Sequence, residues 1–238
     1  MPTKTAAGIR ARNRRELTAA ILDSARRQLA SEGAAALSLR AIARELDMAS
    51  SAIYRYFPSR DALLTQLIID AFNSLADDVA TAESAVPRSD LGGRFRAIGR
   101  AVRTWALAHE HEWSLVYGTP VPGYAAPQDT IGPATRVTEL LVAIIADAAA
   151  RGLQPGLPVP TPAEERTLAP ILRVLAEQGI TVPAELMFRG LMAWTLMFGA
   201  VSFELFGQVH NVVTHERAAH NPFYAGELDR MVDYLGLG

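Results

Sequence analysis

Apolar residues recur at every third or fourth position along most of this chain, and no stretch alternates apolar with polar as a half-buried strand would. Leu17, Ile21, Ala25 and Leu29 lie four apart. Leu39, Ile42, Ala43 and Leu46 follow the i, i+3, i+4, i+7 spacing of one helical face, and Phe95, Ile98, Val102 and Trp105 trace another. The fold class expected is therefore all-α. The 238 residues are 50% hydrophobic and 20% charged, enough to bury a core and incompatible with general disorder. Cysteine is absent, so disulfides, thiolate metal sites and a cysteine nucleophile are excluded, and a reducing cytoplasm suits the chain.

Start and stop signals place the helices. Ser38 is a good N-cap for the helix at Leu39–Leu46, and Asp47-Met48-Ala49 breaks the pattern, aspartate tolerating the left-handed conformation there. A short helix is predicted over Ser50 to Phe57. Pro58 stops it, and Ser59 caps the next, which carries Leu63, Leu64, Leu67, Ile68 and Phe72. A Pro/Gly-rich loop spans Gly118 to Pro127, and residues 153–162 read as a connector. Thr161-Pro162-Ala163-Glu164 is a capping box with proline at the first helical position; Pro183 opens the next helix, and Asn221-Pro222 a final short one. The most apolar segment, Leu186 to Phe206, has only 14 uncharged residues between Arg189 and Glu204, fewer than the roughly 18 of a membrane span. It reads as a helix buried in protein, and no membrane partner or secretion signal is expected.

Charge is divided unevenly. Residues 1–60 hold 11 Lys/Arg against 5 Asp/Glu, a balance of +6; residues 61–238 hold 12 against 20, a balance of -8. The basic part is a candidate partner for a polyanion. It also contains helix, three-residue turn, helix, the arrangement that carries a recognition helix into the major groove. In the second helix Ile53 and Phe57 can anchor inward, which leaves Ser50, Ser51, Tyr54, Arg55 and Tyr56 for outward faces. Small hydroxyls at a helix start admit close approach to bases and phosphates, and tyrosine and arginine suit phosphate oxygens. Arg10, Arg12, Arg14 and Arg15 precede the first predicted helix and read as an arm along phosphates or in the minor groove, or as a solvated tail.

The run Ser38-Leu39-Arg40-Ala41-Ile42-Ala43, followed by Ser51-Ala52-Ile53-Tyr54-Arg55-Tyr56-Phe57-Pro58-Ser59-Arg60-Asp61-Ala62-Leu63-Leu64, closely resembles the DNA-binding domain of the tetracycline-repressor-like (TetR) family, over about Arg14 to Leu67. Trp113-Ser114-Leu115-Val116-Tyr117-Gly118-Thr119-Pro120-Val121-Pro122-Gly123-Tyr124 resembles the segment of members with a WHG-type C-terminal domain. The resemblance implies a homodimeric transcriptional regulator that binds operator double-stranded DNA and answers to a small-molecule effector. Carried over by position, Tyr54, Tyr56, Arg60 and Ser38 look like phosphate contacts, and Arg40 stands where some members read a guanine. Asp47 departs from the glycine usual in the family's turn.

The expected organisation is a flexible basic arm at 1–15, a helix-turn-helix domain at 16–60, and a ligand-binding and dimerisation domain at 61–238. Phe72, Trp105, Trp113, Tyr117 and Arg136 are candidates for an effector cavity, the aromatic residues as walls and Arg136 toward an anionic group. Gly190, Ala193, Trp194, Met197 and Val201 are candidates for the dimer interface, where small residues admit close helix approach. His215 and His220, five apart on a helix, point about 140° away from each other and cannot chelate one metal; with no nucleophile elbow, phosphate loop or dinucleotide fingerprint either, no enzyme, metal or cofactor is expected. A repressor is the reading adopted, with an activator, or a helical small-molecule-binding protein or enzyme with a merely structural N-terminal unit, as its rivals.

Overall fold

The computed structural model describes residues 6–153, 160–210, 212–213 and 217–238, and its described residues are all-α as expected. The helices are α1 (Ala6–Glu32), α2 (Leu39–Glu45), α3 (Ser50–Ile53), α4 (Arg60–Ser84), α5 (Leu91–Ala108), α6 (Glu110–Tyr117), α7 (Ile131–Ala150), α8 (Pro162–Glu177), α9 (Ala184–Leu205) and α10 (Arg217–Leu235). The chain divides into two compact units: residues up to Phe72 with Glu110–Ile131, and Asn73–His109 with Gly132–Gly238.

This division differs from the boundary expected at residues 60 and 61. The first unit's core is built from Ile21 and Ala25 of α1, Leu39, Ile42 and Ala43 of α2, Ile53, Phe57, and Leu63, Leu64 and Leu67 of α4. Leu115 of α6 and Val121 and Tyr124 of the loop after it pack against that same core. The Tyr124 hydroxyl lies 2.9 Å from Thr65 Oγ1 on α4. The Trp113–Tyr124 segment thus belongs to the unit that carries the helix-turn-helix.

Three helix boundaries differ from expectation. α1 begins at Ala6, so residues 6–15 continue the helix rather than forming a flexible arm. Alanine and arginine are strong helix formers, and Arg12 pairs with Glu16 one turn on at 3.5 Å. α3 is only four residues; beyond Ile53 the chain turns through Tyr56 N–H to Ile53 O (2.9 Å) and Phe57 N–H to Ile53 O (3.1 Å). α10 is 19 residues long, with Pro222 inside its second turn rather than at its start.

The turn between α2 and α3 is a Schellman closure with aspartate at the left-handed position. Asp47 has φ 52°; its N–H donates to Arg44 O (3.3 Å), and Met48 N–H to Ala43 O (2.8 Å). Asp47→Ala should lower the unfolding free energy by about 1 kcal/mol and Asp47→Gly should not lower it, because glycine alone adopts this region without a Cβ clash. Thermal melts of the two variants check this.

In the second unit α5 packs on α9 and α10, and α8 on α9. Gly99 admits the close approach of α5 and α10: a Cβ there would stand 2.4 Å from Leu228 Cδ2. Arg94 is buried, with Nε on Glu83 at 2.5 Å and Nη1 on Asp147 at 2.7 Å. α9 is long and apolar enough to cross a membrane by length and composition. It packs on helices of its own unit, and its Arg189 is buried with Nη2 on Glu185 at 2.9 Å.

Candidate nucleic-acid interface

The reading element is α3 with the turn after it, residues 50–57, and it packs against α2. Ile53 and Phe57 are buried, and Ser50, Ser51, Tyr54 and Arg55 are exposed, Tyr54 to 42%. Arg40, at the start of α2, is exposed on the neighbouring helix. Ser38 caps α2, its Oγ accepting from Ala41 N–H at 3.4 Å, while its own N–H donates to Gln28 Oε1 at 3.1 Å. The cap and a phosphate contact are compatible, because the Ser38 hydroxyl proton is left to donate.

Tyr56 is half-buried against the core, with the Arg14 guanidinium 5.4 Å from its ring centroid. Arg14 Nη2 also donates to Arg55 O at 3.3 Å. α1 is thereby tied to the end of the reading element, a role that the arginine run alone did not reveal. Arg10 lies one turn from Arg14 on the same helical face and is exposed.

Arg60 is placed differently from expectation. Its Nη2 donates to Ala34 O (2.8 Å) and Ala35 O (3.2 Å), carbonyls of the short 3-10 turn after α1. This guanidinium closes a turn within the chain. The start of α4 is capped by Ser59, whose Oγ accepts from Ala62 N–H at 3.1 Å.

The five effector candidates fall in both units. In the first, Trp113 is fully buried, its ring 4.4 Å from that of Tyr117, which in turn meets Phe72 edge-on at 5.8 Å. Burial pushes the Tyr117 hydroxyl above its ordinary pKa. In the second, Trp105 is buried, donates Nε1–H to Ser74 Oγ at 3.0 Å and stacks on His109 at 4.7 Å. Arg136 is bound to Asp77 Oδ1 (2.6 Å) and Asn73 Oδ1 (2.9 Å), so its charge is matched within the chain. Two cavities in the second unit are lined by other residues. One, of about 460 Å³, lies along α8 and α9 among Leu168, Phe188, Leu191, Met192 and Leu196; the other, of about 100 Å³, lies among α9, α10 and the turn between them. Among the described residues no group of histidine and carboxylates could hold a metal ion; the pair His215 and His220 cannot be compared, since His215 lies outside the described residues.

The dimer candidates require correction. Ala193, Met197 and Val201 are buried inside the single chain, at 0%, 0% and 1% exposure, and cannot form a surface for a second copy. Gly190 faces inward too, since a Cβ there would stand 3.1 Å from Ile145 Cγ1 of α7. Trp194 is half-buried, its ring 5.8 Å from that of Phe198. The exposed side of α9 is instead Met192, Leu196 and Phe203, with Val174 exposed on α8.

A basic helix-turn-helix unit followed by a helical unit defines a DNA-binding regulator. Comparison with known proteins agrees with that class. Residues 21–67 match the model of the bacterial regulatory proteins of the tetR family, and residues 95–221 match the tetracyclin repressor-like C-terminal domain. The HTH-type transcriptional regulators Mb1846 of Mycobacterium bovis and Rv1816 of Mycobacterium tuberculosis are each 42% identical over 198 residues, covering 82% of this chain and 83% of theirs. The crystal structure of SCO4313 superposes with a TM-score of 0.74 at 35% identity, over 94% of this chain and 98% of that one. The chain belongs to the TetR family of helix-turn-helix transcriptional regulators.

Proposed function

We propose that the chain is a dimeric repressor, released from its operator by a small hydrophobic or aromatic effector that is at most singly charged. The observation that carries the DNA half of this reading is the exposure of Arg40, Ser50, Ser51, Tyr54 and Arg55 around a buried Ile53 and Phe57. Two copies would set their reading elements about one helical turn of DNA apart, roughly 34–36 Å. Binding to chromosomal operators makes the cytoplasm its place of work.

The effector half rests on Trp113, Tyr117 and Phe72, an aromatic chain in the same compact unit as the helix-turn-helix. An effector that displaced α6 would act on the core beneath α2 and α3 through Leu115, Val121 and the Tyr124–Thr65 contact. To move a dimer from 99% competent to 1%, the effector must prefer the released state by about 5.5 kcal/mol, and operator DNA must weaken its binding by the same factor. The test is operator titration against a panel of neutral and singly charged aromatic compounds. A releasing compound should lose potency with Tyr117→Ala while effector-free operator binding persists. Equal release curves would remove Tyr117 from the pocket.

For the dimer, the exposed apolar residues Met192 and Leu196 on α9, with Val174 on α8, mark the face best suited to a second copy, in a four-helix bundle across a two-fold axis. Leu196→Arg should give folded monomers that bind operator weakly, whereas Ala193→Arg should unfold the chain, since it drives a charge into the core. Sedimentation and circular dichroism separate the two outcomes. A monomeric wild type at micromolar concentration would contradict the dimer.

A further inference from the structure

The smaller cavity, of about 100 Å³, is lined by Phe203, Phe223 and Tyr224, by Glu204 and Glu227, and by His220. Arg103 of α5 faces this group, and each of its three guanidinium nitrogens is engaged. Nε and Nη2 donate to the two oxygens of Glu204 at 2.6 and 2.7 Å, Nη1 donates to Asn221 Oδ1 at 2.8 Å, and its carbon lies 5.5 Å from the Tyr224 ring centroid. Glu204 also meets His220 Nδ1 at 3.5 Å. The Tyr224 hydroxyl donates to Gly99 O at 3.0 Å, and its ring is engaged by Arg103, so Tyr224 closes the cavity without offering a free group. Glu204 is therefore matched by Arg103, and Glu227 is not: among the described residues it forms no ion pair. Burial, and then the charge of Glu204, raise its pKa.

We propose that this cavity binds a small organic ammonium ion, with Glu227 as its counter-ion and the rings of Phe203 and Phe223 as a cation–π wall. An anion would meet two carboxylates and one already neutralised arginine. A neutral apolar guest would further desolvate Glu227 without offsetting its charge. A metal ion is disfavoured because the described residues hold no cluster of three ligands. Aromatic faces beside one uncompensated carboxylate are the chemistry that recognises alkylated ammonium groups. The volume, about three waters' worth, admits a methylated ammonium head group and little more. The site lies wholly within the second unit and goes beyond the effector reading, which concerns Phe72, Trp113 and Tyr117.

The test uses the full chain and tetramethylammonium chloride at constant ionic strength, with sodium chloride and neutral tert-butanol as controls, followed by saturation-transfer NMR and thermal unfolding. Wild type should bind tetramethylammonium saturably and tert-butanol at least about tenfold more weakly. Glu227→Gln should weaken tetramethylammonium binding by about tenfold or more while keeping fold and operator affinity, which separates this site from the DNA reading. Phe223→Ala should weaken it also. Acidification should release the cation, because Glu227, which Glu204, His220, Tyr224 and Arg103 surround, takes up a proton before an ordinary carboxylate would. The absence of saturable binding in wild type, or wild-type affinity in Glu227→Gln, would overturn the proposal.

Discussion

Arg94→Met should lower the unfolding free energy by about 3 kcal/mol or more. Arg94 is 1% exposed and bridges Glu83 and Asp147, whose side chains are 13% and 25% exposed. Removing it leaves two carboxylates close together at the edge of the core without their shared cation. The loss then comes from stranding the anions rather than from the strength of the original bridge. Urea unfolding should show a lowered midpoint with an unchanged slope. A loss below about 1 kcal/mol would mean that water and Arg88, which sits 2.9 Å from Asp147, replace the bridge. The same cluster predicts acid sensitivity. Burial works against the charge of Asp147, but hydrogen bonds from Arg94 and Arg88 outweigh it and lower its pKa. A carboxyl depressed in the folded state contributes stability above its unfolded value of about 3.9 and loses it as pH falls through the folded value. Wild type should therefore shed stability below about pH 4 more steeply than Arg94→Met does.

Arg40→Ala should weaken operator binding by about 1–3 kcal/mol and relax base preference at one position in each half-site. Tyr54→Phe should instead weaken binding to all duplexes similarly, because a phosphate contact carries no sequence information. Both side chains are exposed, and the folded core beneath them does not depend on either, so stability should stay within about 0.5 kcal/mol of wild type. Comparing each variant on operator and on scrambled duplex distinguishes the two roles. Unchanged affinity and preference in Arg40→Ala would remove it from direct readout.

The helical faces were legible because period carries burial directly: Ile21, Ala25, Ile42, Ala43, Ile98 and Val102 all lie in the core. Caps were legible for the same local reason. Ser38, Ser59 and the Thr161–Glu164 box act within one helical turn, and Asp47 adopts the left-handed conformation expected of it. What was not legible is non-local. An apolar helix with small residues looks the same whether its close neighbour is its own chain or a second copy, so Gly190 and Ala193 pointed to the wrong partner. An arginine at a helix start suits an anion equally well as the free carbonyls of a preceding 3-10 turn, and Arg60 takes the carbonyls. Val121 and Tyr124 sit in a Pro/Gly-rich loop, where no helical period marks which side chains are buried. Their packing on the helix-turn-helix core, which moves the unit boundary, depends on contacts with residues about sixty positions away, such as Thr65.

The central claim, sequence-specific DNA binding by the α2–α3 element, is tested most directly by selecting duplexes from a random pool and titrating the enriched sequence by fluorescence anisotropy at several salt concentrations. The enriched sequence should be a two-fold symmetric site with half-site centres about one turn apart. That site should be bound roughly a thousandfold or more tighter than scrambled duplex, with log K falling by about 0.9 for each phosphate contact per tenfold rise in salt. Failure to enrich any sequence, with equal affinity for selected and scrambled duplex and no dependence on salt, would contradict the claim.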